Sequence, residues 1–305
     1  AIITDKFRIH NSEQFHEAFS ESSGNTFYLG IGRPQAFATS TRADSRTNNE
    51  GSDTAPVTPA DNVNAQSFPY DDLLAAKKIA STDITFAIPR RNWTTGTTYD
   101  IYRHDYGERI TGTTTNQTAN SGASTLHDAT FYVLTGDRNV YKVLDNDGNT
   151  ASTVEPTGTS TSILSTADGY KWKYMYTLSA SQQANFLSTD FMAVTTNSTV
   201  ASAAVDGAVN IVKIKSAGSG GSDGTHTNID IRGDGSGGKV SVTVSSGAVT
   251  AVTVTTPGTG YTFGTISNAQ IVSAGATSLS GAELDVIIEP KGGHGKNAVE
   301  ELGGF

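Results

Sequence analysis

Cysteine is absent from the 305 residues, which excludes disulfides, thiolate catalysis and thiolate-held metals and leaves the redox compartment open. Charge is scarce as well. Only 17% of residues are Asp, Glu, Lys or Arg, with 21 basic against 30 acidic and a net charge of -9. Nucleic-acid binding relies on basic side chains that displace counterions from phosphates, so this balance disfavours it. No basic membrane-surface helix is present. No run approaches the ~20 apolar residues of a membrane span. The opening AIITDKFRIHNSEQF lacks a basic start followed by an apolar stretch, so no signal peptide is expected. The expectation is a soluble protein or part of a soluble assembly. The Ala, Glu, Lys and Leu excess of a helical bundle is also missing.

What the chain has instead is glycine, serine and threonine: 32, 31 and 43 residues, or 106 of 305. Threonine suits pleated surfaces, while glycine and serine suit turns. Short strands, many turns and long polar connections follow, in one large domain or two small ones able to bury a real core.

Residues 1–33 read as strand, helix, strand. Asn11 caps the helix with Gln14 completing a capping box, Phe15, Ala18 and Phe19 share a face, and FYLGIG ends in glycine. A polar tract from Ala36 to Pro69 contains one late aromatic, Phe68. Connections this long are usually functional or disordered, so it is either a surface loop or an arm that orders against a neighbour. YDDLLAAKKIA (70–80) reads as a helix, with Asp71 and Asp72 in its first turn and Lys77 and Lys78 in its last. Residues 111–126 form a second polar loop. FYVLT (131–135) and VYKVLD (140–145) are strands joined by GDRN, and GYKWKYMYTL (169–178) alternates as a half-buried strand does. SQQANFL (181–187) is a short helix. From about 208 the texture becomes glycine-punctuated period-2 strands, with a two-residue hairpin turn at Ser246-Gly247. Residues 208–281 read as a small β module inserted into a main domain of 1–207 and 282–305, whose further division near 94–190 stays open.

Several motifs tempt and fail. GDGSGGK (233–239) has the spacing of a phosphate loop, but a strand follows where a helix N-terminus is needed, and Val240 replaces the required Ser or Thr. GGSDG (220–224) places Ser222 as a nucleophile without a following helix. DNDG (145–148) lacks the further oxygen ligands of a calcium loop. Arg232-Gly233-Asp234 spells an adhesion tripeptide of the kind chance supplies in a glycine-rich turn. The six histidines, 10, 16, 104, 127, 226 and 294, show no metal-ligand spacing. Asp71-Asp72 and Glu300-Glu301 read as solvated helix faces. No catalytic residue, metal or cofactor is expected.

AIPRRNW (87–93) is different. Arg90 and Arg91 offer paired guanidinium forks and Trp93 a broad face, the residue types that dominate protein–protein hot spots. The alternative is an internal salt bridge with Trp93 in the core. Tyr170, Trp172, Tyr174 and Tyr176 place alternate aromatics on one sheet face, where core packing is the ordinary reading. Arg90, Arg91, Trp93, Tyr170 and Trp172 are the candidate interface residues.

The strings AIPRRNW, VYKVLDNDG (140–148) and DGYKWKYMYTL (168–178), in this order after FYLGIGR, resemble the baseplate wedge subunit of T-even-type contractile-tailed phages, in the form carried by marine cyanobacterial relatives. The resemblance covers about residues 1–200 and resumes at 282–305. The 208–281 segment departs from it and looks like glycine-rich repeats of phage tail proteins. The family pattern continues past a GGF-like end, so a truncated chain is expected at Phe305. The resemblance implies an α+β fold, predominantly β, with no catalytic activity. It implies a homodimer in each wedge, contacts with other wedge proteins, and a place in the virion tail baseplate after assembly in the host cytoplasm. The long loops then suit a subunit that holds neighbours and shifts on tail contraction. Two other classes compete. One is a receptor- or glycan-binding tail module acting through 208–281. The other is a polysaccharide hydrolase, which would need a carboxylate pair.

Overall fold

A computed structural model describes residues 5–21, 25–32, 73–110 and 112–304. The chain divides into two compact units, His10–Thr85 and Phe86–Phe305 with Ala1–Ile9. The architecture is α+β and predominantly β.

Helix α1 (Asp5–Ala18) runs through Asn11. Residues 5–10 are thus helical and not strand, and Asn11 is an interior position. Nothing between Asp5 and Asn11 breaks a helix, so the capping pattern at Asn11 does not start one. In the His10–Thr85 unit, Phe15, Phe19 and Phe27 form an aromatic trio, with Phe19 and Phe27 centroids 4.3 Å apart. Strands β1 (Phe27–Gly32) and β2 (Leu73–Ile79) pair antiparallel from Phe27↔Ile79 to Gly32↔Leu73. The helix expected at 70–80 is therefore a strand. Leu, Ala and Lys are good helix formers, but propensity is a small energy per residue, and pairing with the aromatic strand FYLGIG overrides it. Asp71, Asp72 and the polar tract 36–69 lie outside the described residues.

The second unit begins with β3 (Ala87–Pro89), β4 (Tyr132–Leu134), β5 (Asn139–Asn146), β6 (Leu164–Ser165) and β7 (Tyr170–Thr177). Helix α2 (Ala180–Phe186), strand β8 (Phe191–Ala193) and helix α3 (Ser198–Ala203) follow. Four strands form an antiparallel sheet in the order β4-β5-β7-β6, and β3 pairs with β8. The GDRN turn holds Leu134 opposite Val140. Strand β7 is buried on both faces and not half-buried. Tyr170, Trp172 and Tyr174 enter one apolar cluster with Tyr99 and Val143, while Met175 and Tyr176 enter another with Phe131 and Leu144. Ser179 caps α2 in a reciprocal box with Gln182, as expected of SQQANFL.

The polar loop 112–126 is folded onto its own chain and is not a free arm. Gly107 N donates to Gln117 O at 2.8 Å and Gln117 N to Glu108 O at 2.7 Å. Asp100 anchors it by accepting from Ser121 N and Oγ and from Thr130 N and Oγ1 at 2.6–2.9 Å.

The glycine-rich part supplies β9 (Ile211–Ser219), β10 (Gly224–Asp230), β11 (Arg232–Gly233), β12 (Lys239–Ser245), β13 (Ala248–Thr256) and β14 (Gly264–Thr265). Helix α4 (Asn268–Ser273), strand β15 (Ser280–Ile287) and helix α5 (Ala298–Leu302) complete the chain. The expected hairpin is present. Ser245 faces Ala248, and Ser246 and Gly247 both take positive φ, 54° and 78°, as a two-residue primed turn requires. β10, β12 and β13 form one sheet, and β9 pairs with β15. Val209 to Ile288 contribute a hydrophobic cluster of their own, centred on Val240, Val242, Ile271 and Tyr261.

Candidate functional site

The strings at 87–93, 140–148 and 168–178 converge on one hydrogen-bonded knot. Trp93 N donates to Leu134 O and Leu134 N to Arg91 O, so the Arg-Asn-Trp segment runs beside β4. Trp93 Nε1 donates to Ser152 Oγ at 3.1 Å, and Ser152 Oγ donates to Asp168 Oδ2 at 3.1 Å. Asp168 also accepts from Thr153 N at 2.8 Å, Val154 N at 3.0 Å and Thr166 Oγ1. Burial pushes its carboxyl up, but the Thr166, Val154, Thr153 and Ser152 donors outweigh that and hold it below the ordinary range. Gly169 follows at φ 83°, where a Cβ would strike Asp147, which ties the DNDG turn to the same knot. Tyr170 stacks on Trp172 at 5.2 Å and donates to Thr150 O at 2.6 Å. Trp172 Nε1 donates to Thr166 Oγ1 at 3.1 Å.

Tyr170 and Trp172 have no exposed surface. Arg90, Arg91 and Trp93 are half-buried. Arg90 donates to Asn92 Oδ1 at 2.9 Å and to Ser188 O at 2.8 Å. Arg91 donates to the carbonyls of Ala129 and His127 and lies 4.6 Å from the Tyr132 ring centroid. Each guanidinium thus ties AIPRRNW to segments distant in sequence, Arg90 to the turn before β8 and Arg91 to the turn before β4. Among the described residues neither makes the internal salt bridge weighed as an alternative; their acceptors are neutral carbonyls and an amide oxygen.

Sequence reasoning missed a buried charge cluster. Glu301, read as solvated, is buried beneath α5. It pairs with fully buried Lys142 and accepts from Gly295 N at 2.8 Å and Asn297 N at 3.2 Å. Adjacent Glu300 is exposed, so the two carboxylates do point apart, but one points inward. The signal was Lys142 within the apolar strand VYKVLD, because a lysine there needs a carboxylate. Glu289 accepts from Asn210 Nδ2 and from His294 N at 3.1 Å. Burial pushes the Glu289 carboxyl up to about 7, against the pull of Asn210, His294 N, Lys142 and Lys173. Burial likewise drives the His294 imidazole down, with Lys142 and Lys173 adding to it.

The discarded motifs have structural roles. Gly235 and Gly238 of GDGSGGK leave room for the Tyr261 ring, which a Cβ at either would strike. Tyr261 Oη donates to Ile231 O at 2.9 Å and accepts from Gly238 N at 3.1 Å. Asp234 of the adhesion-like tripeptide accepts from Thr262 Oγ1, Thr262 N and Phe263 N, which holds its carboxyl down at about 2. Ser222 shares a hydrogen bond with Thr277, while His226 Nε2 meets the Ser222 carbonyl and not its hydroxyl. Asp145 of DNDG is held by Lys213 at 2.6 Å and Lys171 at 3.6 Å. Among the described residues no group of His, Asp and Glu could hold a metal, and no helix is long and apolar enough to cross a membrane.

Together these features define a β-rich protein whose arginines, tryptophans and glycines tie its own segments together. Its first 139 residues match the family described as Bacteriophage T4, Gp8. That match, over 139 of the 305 residues, likens the first part of the chain to a T4-type baseplate wedge protein of the virion tail. The matched stretch includes AIPRRNW and ends at Asn139, where β5 begins, so it is shorter than the span over which the sequence resembles the family. No curated protein matches the chain.

Proposed function

We propose that this subunit works without catalysis, pairing with a second copy of itself and with other wedge proteins to hold the baseplate and then remodel it on tail contraction. The observation that carries this reading is the β1–β2 pair, which lies inside the family-matched stretch. Tyr28, Leu29, Ile31 and Leu74 are all more than half exposed there, Leu74 at 66%. A two-stranded pair is marginal alone, and a row of exposed apolar side chains suits an interface. Arg90, Arg91 and Trp93 act indirectly in this reading, by fixing the turns they bind. Tyr170 and Trp172 support them from the interior. Residues 208–281 serve as an inserted module, a division that the separate cluster of Val209–Ile288 supports. Neither nucleic acid nor membrane is a partner.

The test is the oligomeric state. Light scattering should give a dimer for the wild type, and Leu29→Asp/Leu74→Asp should give a folded monomer. A wild-type monomer at micromolar concentration would reject the dimer.

A further inference from the structure

A cleft of about 810 Å3 opens in the second unit, with Lys173, Asn210, Glu289 and His294 among its lining residues. That volume suits a small-molecule ligand. Lys173 is only 7% exposed. Its Nζ donates to the neutral Thr161 carbonyl, and among the described residues no acid pairs with it. Glu301 is taken by Lys142. Glu289 has one oxygen on Asn210 and the other on His294 N. Glu289 attracts the Lys173 ammonium across the cleft without a direct ion pair, so the cleft has one cationic point with no contacting anion among the described residues, which a ligand anion would satisfy.

Two further observations describe what else the ligand carries. Ser162, Ser236, Thr256 and Thr259 line the cleft, and among the described residues their hydroxyls are not engaged by any side-chain hydrogen bond. His294 Nδ1 is buried without a partner. All four Ser and Thr residues are exposed, so a ligand in the cleft would meet hydroxyls that now face solvent and could exchange water for its own hydroxyls. No aromatic ring lines the cleft apart from the His294 imidazole, so a nucleobase has no broad stacking surface. A dianion such as a phosphate monoester would set its second charge near Glu289 with only Lys173 to answer it.

We propose that this cleft binds a hydroxylated monocarboxylate of the sugar-acid class, with its carboxylate on Lys173 Nζ and its hydroxyls on the serine and threonine side chains. This goes beyond the assembly role, and its failure would leave that role untouched.

Calorimetry on the whole chain tests it, with glucuronate and galacturonate as probes and glucose, acetate and inorganic phosphate as controls. At least one uronate should bind about 10-fold or more tightly than every control, the value of one charged hydrogen bond. Lys173→Met should reduce uronate binding by about the same factor while glucose is unchanged. Should Lys173→Met fail to fold, Ser236→Ala and Thr259→Val keep the lysine, and each should weaken uronate binding about 3-fold with an unchanged thermal midpoint. No uronate binding at millimolar concentration, tighter binding of phosphate, or wild-type affinity in the folded variants would overturn the proposal.

Discussion

Asp168 accepts from three backbone amides, those of Thr153, Val154 and, at 3.5 Å, Tyr170, and from two hydroxyls, one of which also receives Trp93. Asp168→Ala should therefore cost about 2 kcal/mol in chemical denaturation, within the range for hydrogen bonds to a charged group. Glu301 presents a harsher case, because its loss leaves the Lys142 ammonium buried without a partner. Glu301→Ala should cost about 3–5 kcal/mol, whereas Lys142→Met/Glu301→Leu should recover most of that loss. The carboxyls also split by sign with pH. Asp100 and Asp168 are held below their ordinary value of 3.8. Their stabilisation is present above that value and is lost as pH falls through the folded pKa. Glu289 is raised from 4.5 to about 7. Its contribution is full below 4.5 and is lost as pH rises through about 7. A series of thermal melts across that window should show declining stability in the wild type and a flatter profile in Glu289→Gln.

Strands were legible where pattern and turn chemistry agreed. FYVLT, VYKVLD and the Ser246-Gly247 hairpin carry β-branched residues and the small or flexible turn residues their geometry needs, and they fold as the sequence indicates. LLAAKKI carries helix-favouring residues and is a strand, because its partner lies more than 40 residues away and local propensity cannot register that pairing. The knot was half legible. Its tryptophans and arginines stood out, but Ser152 and Asp168, which join them, are ordinary polar residues until the loops are placed. Glycines that read as mere turns also leave space for packing. At Gly233 a Cβ would meet the Phe263 carbonyl and the Tyr261 ring. Gly233→Ala should therefore lower stability by about 1–3 kcal/mol through overpacking. Denaturant titration should locate the loss in the Val209–Ile288 part. An unchanged midpoint would mean that the loop yields.

Across the whole molecule, the low charge and the excess of glycine, serine and threonine resolve into two uses. Glycine fits tight turns and close packing in the 208–281 segment, and the polar loop 112–126 is bound back onto Asp100 and its neighbours. Neither forms a catalytic constellation among the described residues. The family match and the exposed apolar strand pair both fall in the first half of the chain, which directs the search for partners there. The most direct measurement is co-purification of this chain with its candidate neighbouring wedge proteins, followed by size-exclusion chromatography and imaging of the complex. A stable complex that contains this chain, and that Leu29→Asp/Leu74→Asp weakens at least about 10-fold through the loss of apolar contact, is the predicted result. A folded chain that elutes alone in the presence of every neighbour would contradict the assembly role.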